Sequence, residues 1–307
     1  MAPDTPLISV IVASYGHEAY IGQTLESIQT QSFASFEAIV VDDGSPDGSW
    51  SIIQDFAARD SRFRAFQHPD GRNHGLCATL ALGLGYCRGE YVAFLESDDL
   101  WKPDCLEKRL AALEKSVAGA VFNPVEILRM PDTKADGDII MTNMRHDRFK
   151  NETGAVDIST SLLVENVIPT FSSVMARKST LENIDFISPV QQWIDWWMWI
   201  QISRVAPFVY IPEYFTIWRR HSANYNRSYS FFEYLDIWKN MRSGIKELFA
   251  ARKYNMSKRE HLILNCPAIF ILLLRMFKVM KYGGIKNLYA RIASKIVAKK
   301  QSRVATT

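Results

Sequence analysis

Three apolar runs of strand length, each broken off by polar residues, constrain this chain more than any other feature. Leu7-Ile8-Ser9-Val10-Ile11-Val12-Ala13 gives way to Ser14-Tyr15. Glu37-Ala38-Ile39-Val40-Val41 stops at Asp42-Asp43-Gly44, and Glu90-Tyr91-Val92-Ala93-Phe94-Leu95 runs into Glu96-Ser97-Asp98-Asp99. Continuous apolar runs of this length mark strands covered on both faces. Between them the spacing is helical: Tyr20, Ile21, Leu25 and Ile28 share one face, as do Trp50, Ile53 and Phe56. Arg64-Ala65-Phe66 reads as a further short strand, and the Ala-, Leu- and Gly-rich residues 75–87 suit a helix packed closely on a sheet. Such alternation predicts a doubly wound, mostly parallel α/β sheet with helices on both faces. Ligands of these sheets bind beyond the carboxyl ends of the strands. An aromatic ring and several carboxylates are therefore expected along one edge.

With 307 residues, 48% hydrophobic and 12% aromatic, the chain has ample material for a core, and disorder as its main state is excluded. Cys77, Cys87, Cys105 and Cys266 are scattered with no C-x-x-C pair, so a reduced, cytoplasmic setting is expected. Met1 to Pro6 offers neither a basic n-region nor a long apolar stretch, and no signal peptide is read there. The net charge of +3 divides unevenly. Residues 1–225 carry 19 Lys+Arg against 29 Asp+Glu, whereas residues 226–307 carry 17 against 4. An acidic body with a basic appendage results. No G-x-x-x-x-G-K-[ST] occurs, and Gly83-Leu84-Gly85 follows a helical stretch, so neither a P-loop nor a dinucleotide fingerprint is present.

Clustered acids at a strand end must be paired, protonated or metal-bound. Glu96, Asp98 and Asp99 suit a hard divalent cation, Mn²⁺ or Mg²⁺, sharing its shell with water and phosphate. The competing assignment makes Asp98 the cap of a helix starting near Pro103. Asp42 is expected to accept from a base N–H of uracil or thymine, with an Asx-turn assigned to Asp43 or Ser45. Tyr15 either stacks on that base or packs under the sheet. Residues 129–154 are polar and weakly periodic, as in a long loop or insertion over the site.

The ordered set Ser9-Val10-Ile11-Val12-Ala13-Ser14-Tyr15, Val40-Val41-Asp42-Asp43-Gly44-Ser45-Pro46-Asp47, Asn73-His74-Gly75 and Arg88 to Asp99 resembles the family 2 glycosyltransferases. A weaker match continues through Pro169 to Ser173, Asp195-Trp196-Trp197 and Trp218-Arg219-Arg220-His221-Ser222-Ala223-Asn224. The resemblance implies a GT-A-type fold over residues 1–225, with a nucleotide-binding half (1–105) and an acceptor half (106–225). It further implies a UDP- or dTDP-sugar donor, a divalent cation and inverting transfer to a glycan or lipid-linked acceptor of a cell-surface polysaccharide such as lipopolysaccharide. By position, Ser14, Tyr15, Asp42, Asn73, Gly75, Ser97 and Asp98 would hold the nucleotide-sugar. Asp98, Glu96, Asp99 and His221 would surround the metal.

The chain also departs from the family pattern. Aligned through Asp195-Trp196-Trp197, Gln192 and Trp193 stand where a Glu-Asp pair with the catalytic base is usual, leaving Asp195 as the nearest candidate base and Asp185 as another. Glu96 replaces the first acid of the "DxD" element, and Leu80-Ala81 replaces a common Arg-Asn. A non-catalytic member that binds nucleotide-sugar or glycan is the alternative. Residues 226–307 are expected to form a helical extension. From Lys258 onward eleven Lys/Arg face Glu260 alone, and Ile269 to Met280 is apolar but interrupted by Arg275 and Lys278. The stretch is too short and charged to span a bilayer. Either a basic amphipathic helix on an anionic membrane surface or a solvated helical cap fits it. Nucleic acid is not an expected partner, since no binding motif or aromatic interleaving accompanies the charge.

Overall fold

The computed structural model describes residues 5–130, 139–141, 149, 152, 154–221, 224 and 231–266. In chain order the elements are β1 (Ile8–Ser14), α1 (Glu18–Gln29), β2 (Phe36–Asp42), α2 (Ser49–Arg59), β3 (Phe63–Gln67), α3 (Leu76–Tyr86), β4 (Tyr91–Phe94), β5 (Leu100–Trp101), α4 (Cys105–Glu114), β6 (Ala120–Phe122) and β7 (Val125–Arg129). Then come β8 (Ile139–Met141), β9 (Ala155–Val156), α5 (Ser159–Leu162), β10 (Val174–Arg177), α6 (Lys178–Leu181), α7 (Ile194–Val205), β11 (Phe208–Tyr210), β12 (Thr216–Arg220), α8 (Phe231–Ala251) and α9 (Lys258–Asn265). By packing, the chain divides into two compact units, Met1–Asn255 and Met256–Thr307.

The first unit is built on an eight-stranded sheet of order β3-β2-β1-β4-β10-β6-β11-β9. β1 pairs in parallel with β2 from Ile8↔Phe36 to Ser14↔Asp42, and in parallel with β4 from Ile8↔Tyr91 to Ile11↔Phe94. β10 is antiparallel to both β4 and β6. The expected mostly parallel sheet is thus present, and helices cover both of its faces. Val10, Val12, Ala38 and Val40 pack with Ile21, Leu25, Ile53 and Leu106 on one side. On the other, a Cβ added to Gly83 of α3 would come within 2.9 Å of Ile11 Cγ2, which is why α3 must be small there.

A glutamate in the middle of a buried strand needs partners. Glu37 in β2 accepts from Ser9 Oγ at 2.7 Å, from the Arg88 backbone N–H at 2.7 Å and from Arg64 Nη1 at 3.0 Å. Ser9 and Glu37, the polar breaks in two otherwise apolar runs, therefore satisfy each other. A second, four-stranded sheet has the order β5-β12-β7-β8. β12 pairs antiparallel with β5 and parallel with β7, so the segment after β12 returns beside the acids that follow β4.

Several expectations are corrected here. Asp98 caps no helix: α4 starts at Cys105 with Asp104 at its N-cap position. The region 129–154 is not wholly loop, because β8 pairs antiparallel with β7. α8 belongs with the first unit, where Trp238 stacks on Trp196 of α7 at 4.9 Å between ring centroids. In the second unit, α9 begins with a reciprocal cap between Ser257 and Glu260. The apolar stretch 269–280 lies outside the described residues. Among the described residues, no helix is long and apolar enough to cross a membrane.

Candidate active site

The strand ends open into a cavity of about 650 Å³. Ser14, Tyr15, Asn73, Gly75, Ser97 and Asp98, six of the seven residues expected to hold a nucleotide-sugar, line it together with Glu96 and Asp195. Tyr15 is half exposed, and among the described residues the buried Ser14 hydroxyl has no hydrogen-bond partner.

The seventh residue, Asp42, is placed elsewhere. It is fully buried, ends β2, and accepts from Ser45 N–H at 3.1 Å, from Ser45 Oγ and from Gln67 Nε2 at 3.0 Å. Asp42 is therefore the turn-forming acid, and Asp43 is the one on the cavity wall. Asp43 accepts from the backbone N–H groups of His74 at 2.7 Å and Gly75 at 2.9 Å, pinning the 73–75 loop to the end of β2. Gly44 permits this closeness. Its φ is +72°, and an added Cβ would lie 2.8 Å from the Arg72 carbonyl carbon and 2.9 Å from Asn73 N.

Asp98 forms the centre of a compact cluster. His221 Nε2 lies 3.2 Å from its Oδ2, Asn224 Nδ2 lies 2.7 Å from it, and His17 Nε2 lies 4.0 Å away. One ligand atom each from His17, Asp98 and His221 fall within 4.8 Å of one another. His17 Nδ1 is held by Ser97 Oγ at 2.7 Å, and the Tyr20 ring stacks on His221 at 4.0 Å. Arg219 ties the parts together: its backbone N–H donates to Asp99 at 3.0 Å, and its guanidinium donates to the Asp98 carbonyl, Gln23 and Thr24. Asp99, expected at the metal, is fully buried behind this wall, where Ser172 Oγ donates to it at 2.6 Å.

Electrostatics separate the acids. Burial, and then the charge of Asp98, push the Glu96 carboxyl up to about 8, and Thr170 donates to it. Burial likewise raises Asp99 well above the usual carboxylate range. Asp98 feels the same burial, but the hydrogen bond from His221 and the charge of His17 hold it below its ordinary value. Burial lowers His17.

Asp195 lies in the first turn of α7, where unsatisfied backbone amides favour negative charge. Asn166 Nδ2 donates to it at 2.7 Å. Gln191–Trp193 form a 3₁₀ turn leading into α7, so the helix starts at Ile194 and presents Asp195 to the cavity without any acid at 192 or 193. Asp185 is not on the cavity wall; its carboxylate accepts from Ile187 N–H at 2.8 Å. Leu80, at the position of a usual polar residue, is a buried core side chain of α3.

Three residues of this site were missed in the sequence: His17, Asp43 as a wall residue, and Thr170 beside Glu96. Asn224 was legible only as the last position of Arg219-x-His221-x-x-Asn224.

The fold is of the GT-A type. It is similar to S. aureus TarS 1-349 in complex with UDP, with a TM-score of 0.62 at 20% identity over 84% of this chain and 69% of that one. It is also similar to the mannosyltransferase PcManGT from Pyrobaculum calidifontis in complex with GDP-Man and Mn²⁺, at 0.56 and 16% over 99% and 84%. The family model for glycosyl transferase family 2 matches residues 9–174, more than half the chain. A Haemophilus influenzae protein named as an uncharacterised glycosyltransferase is 30% identical over 218 residues, 70% of this chain. Bacillus subtilis TuaG, named for teichuronic acid biosynthesis, is 36% identical over 131 residues, 43% of it. The matches span 66% and 51% of those relatives' own lengths. The chain belongs to glycosyl transferase family 2.

Proposed function

We propose that this protein is a divalent-cation-dependent, inverting glycosyltransferase. It moves a hexosyl group from a UDP- or dTDP-sugar to a hydroxyl of a glycan or lipid-linked saccharide in cell-surface polysaccharide synthesis. One observation carries this reading: Asp98 and His17 line the same cavity as Asp195, which stands at a helix start, and the buried His221 reaches Asp98 Oδ2 at 3.2 Å. UDP in TarS, GDP-Man and Mn²⁺ in PcManGT, and the name of TuaG are consistent with it.

A carboxylate and two imidazoles within 4.8 Å are a sound donor set for Mn²⁺, and they are poorer in oxygen than Mg²⁺ prefers. The Asn224 amide lies 2.7 Å from Asp98 Oδ2 and 3.3 Å from His221 Nε2, so an ion bound there would take the lone pairs that this amide now faces. His17, Asp98 and His221 would hold the ion. Bound there, it would neutralise charge growing on the departing diphosphate.

The chain's own residues supply the rest. Tyr15 offers a ring face to the base, and Asp43 keeps a lone pair on Oδ2 for a base N–H. Asp195 takes the proton of the attacking hydroxyl as the general base, on the side opposite the leaving group. Burial and the charge of Asp98 raise the Glu96 carboxyl, which favours Asp195 over it as that base.

Incubation with a panel of UDP- and dTDP-sugars, saccharide acceptors and Mn²⁺, with nucleoside diphosphate release as readout, tests the reading. Asp195→Asn should cut release by about 10²- to 10⁴-fold while leaving UDP affinity unchanged. Tight UDP binding with no release from any donor would turn the assignment to a binding protein. Full activity in Asp195→Asn would remove Asp195 as the base.

The basic residues from Lys258 onward support attachment to an anionic membrane surface on the cytoplasmic side.

A further inference from the structure

Next to the cavity, β12 and β7 place two arginines side by side. The parallel register aligns Trp218 with Ile127 and Arg220 with Arg129, so these four residues lie on the same face of neighbouring strands. Trp218 lines the cavity, and the Arg220 guanidinium lies 5.3 Å from its ring centroid.

Neither arginine makes an ion pair among the described residues. Charges nearby on the same sheet do: Lys102 Nζ is 2.7 Å from Glu126 Oε1, across β5 and β7. Among the described residues, Arg129 Nε is buried with no hydrogen-bond partner. Like charges on adjacent strands repel, and an unsatisfied buried donor costs free energy. Both penalties are retained in a region, residues 1–225, with ten more acids than bases. A guanidinium pair beside an indole that lines the cavity has the chemistry to take a planar or tetrahedral oxyanion while a sugar ring lies on the aromatic face.

We propose that Arg129, Arg220 and Trp218 form an acceptor subsite for a saccharide bearing an oxyanion, either phosphate or carboxylate. The proposal rests on the glycosyltransferase reading and deepens it by stating the acceptor's charge. The donor's diphosphate is a separate anion, assigned to the region of Asp98, His17 and His221. Phosphate would come from a lipid diphosphate linkage or a phosphodiester glycan, carboxylate from a uronic acid unit.

The test uses the full chain with saturating UDP and Mn²⁺, so that the donor region is filled. Calorimetry then measures binding of a short-prenyl diphosphate-linked N-acetylglucosamine, a galacturonic acid trisaccharide and neutral chitotriose. At least one anionic probe should bind about tenfold more tightly than chitotriose, and which one does so identifies the source of the oxyanion. Arg129→Gln/Arg220→Gln should erase that preference while the UDP affinity, measured separately, stays within about twofold. Thermal melting of the double variant should be unchanged or higher, because repulsion is relieved. Equal binding of all three probes by the wild type, or a preference that survives in the double variant, would overturn the subsite. A parallel loss of UDP affinity would assign the pair to the donor instead. Failure of the wild type to bind UDP with Mn²⁺ would remove the underlying glycosyltransferase reading, a distinct result.

Discussion

Glu96 and Asp98 stand two residues apart on the same wall, yet their surroundings push them in opposite directions. Asp98 has His221 and Asn224 as direct donors, whereas Glu96 has Thr170 and two neighbouring acids. Their substitutions should therefore differ. Asp98→Ala should abolish Mn²⁺ binding, measured by the loss of the free-ion electron paramagnetic resonance signal on titration. His17→Gln should weaken it about tenfold, a typical cost for one imidazole ligand or its support. Glu96→Gln, which mimics the protonated acid, should leave Mn²⁺ affinity nearly unchanged. An Asp98→Ala protein that still takes up Mn²⁺ would detach Asp98 from the cation. At this scale the sequence was legible where a motif spaced its residues, as with Asp98, His221 and Asp195. It was illegible where two like residues adjoin. Asp42 is the last paired residue of β2, and Asp43 the first beyond it, so consecutive side chains point to different surroundings. No composition or spacing distinguishes them. His17 was missed because it sits in the short junction between β1 and α1, outside either periodic pattern.

Long strands and amphipathic helices were readable from their own residues: β1, β2, α1, α2 and α3 fall within a residue or two of where the apolar spacing puts them. The two-residue strands β5 and β9 were not, since they exist through partners distant in sequence, β12 and β11. Two element-level predictions follow from specific contacts. Gly44→Ala would combine a left-handed φ with an atom against the Arg72–Asn73 backbone, so the turn after β2 and the 73–75 loop must separate. UDP affinity should fall by about tenfold or more while the fold persists, with a stability loss of about 1–3 kcal/mol seen in urea unfolding. Asp60, following α2, is held at about 2 chiefly by its hydrogen bonds with Arg62. Its pKa is depressed in the folded state, so its stabilisation is present above the unfolded value near 4 and is lost as pH falls towards 2. Asp60→Asn should therefore cost about 1–2 kcal/mol at pH 7, and the gap to wild type should narrow in urea unfolding below about pH 4.

At the scale of the molecule, the fold class was legible because alternating buried strands and helices admit few arrangements. The antiparallel insertion of β10 was not, because it depends on which distant segment fills the place beside β4. The basic tail adds a separate expectation. Changing Lys286, Lys295, Lys299 and Lys300 together to Gln should release most of the protein from sedimenting vesicles rich in anionic lipid, each charge contributing about 1 kcal/mol. Retention on those vesicles would end the membrane assignment. β10 has one more consequence. Lying between β4 and β6, it makes the strands that lead to His17 and Asp98 and those beyond it one uninterrupted ladder. Splicing the front of one relative onto the back of another therefore cuts across shared backbone pairing wherever the junction falls between β4 and β10. Exchange of whole halves would leave mismatched edges, so new acceptor preferences in this lineage should arise by altering loops and individual side chains.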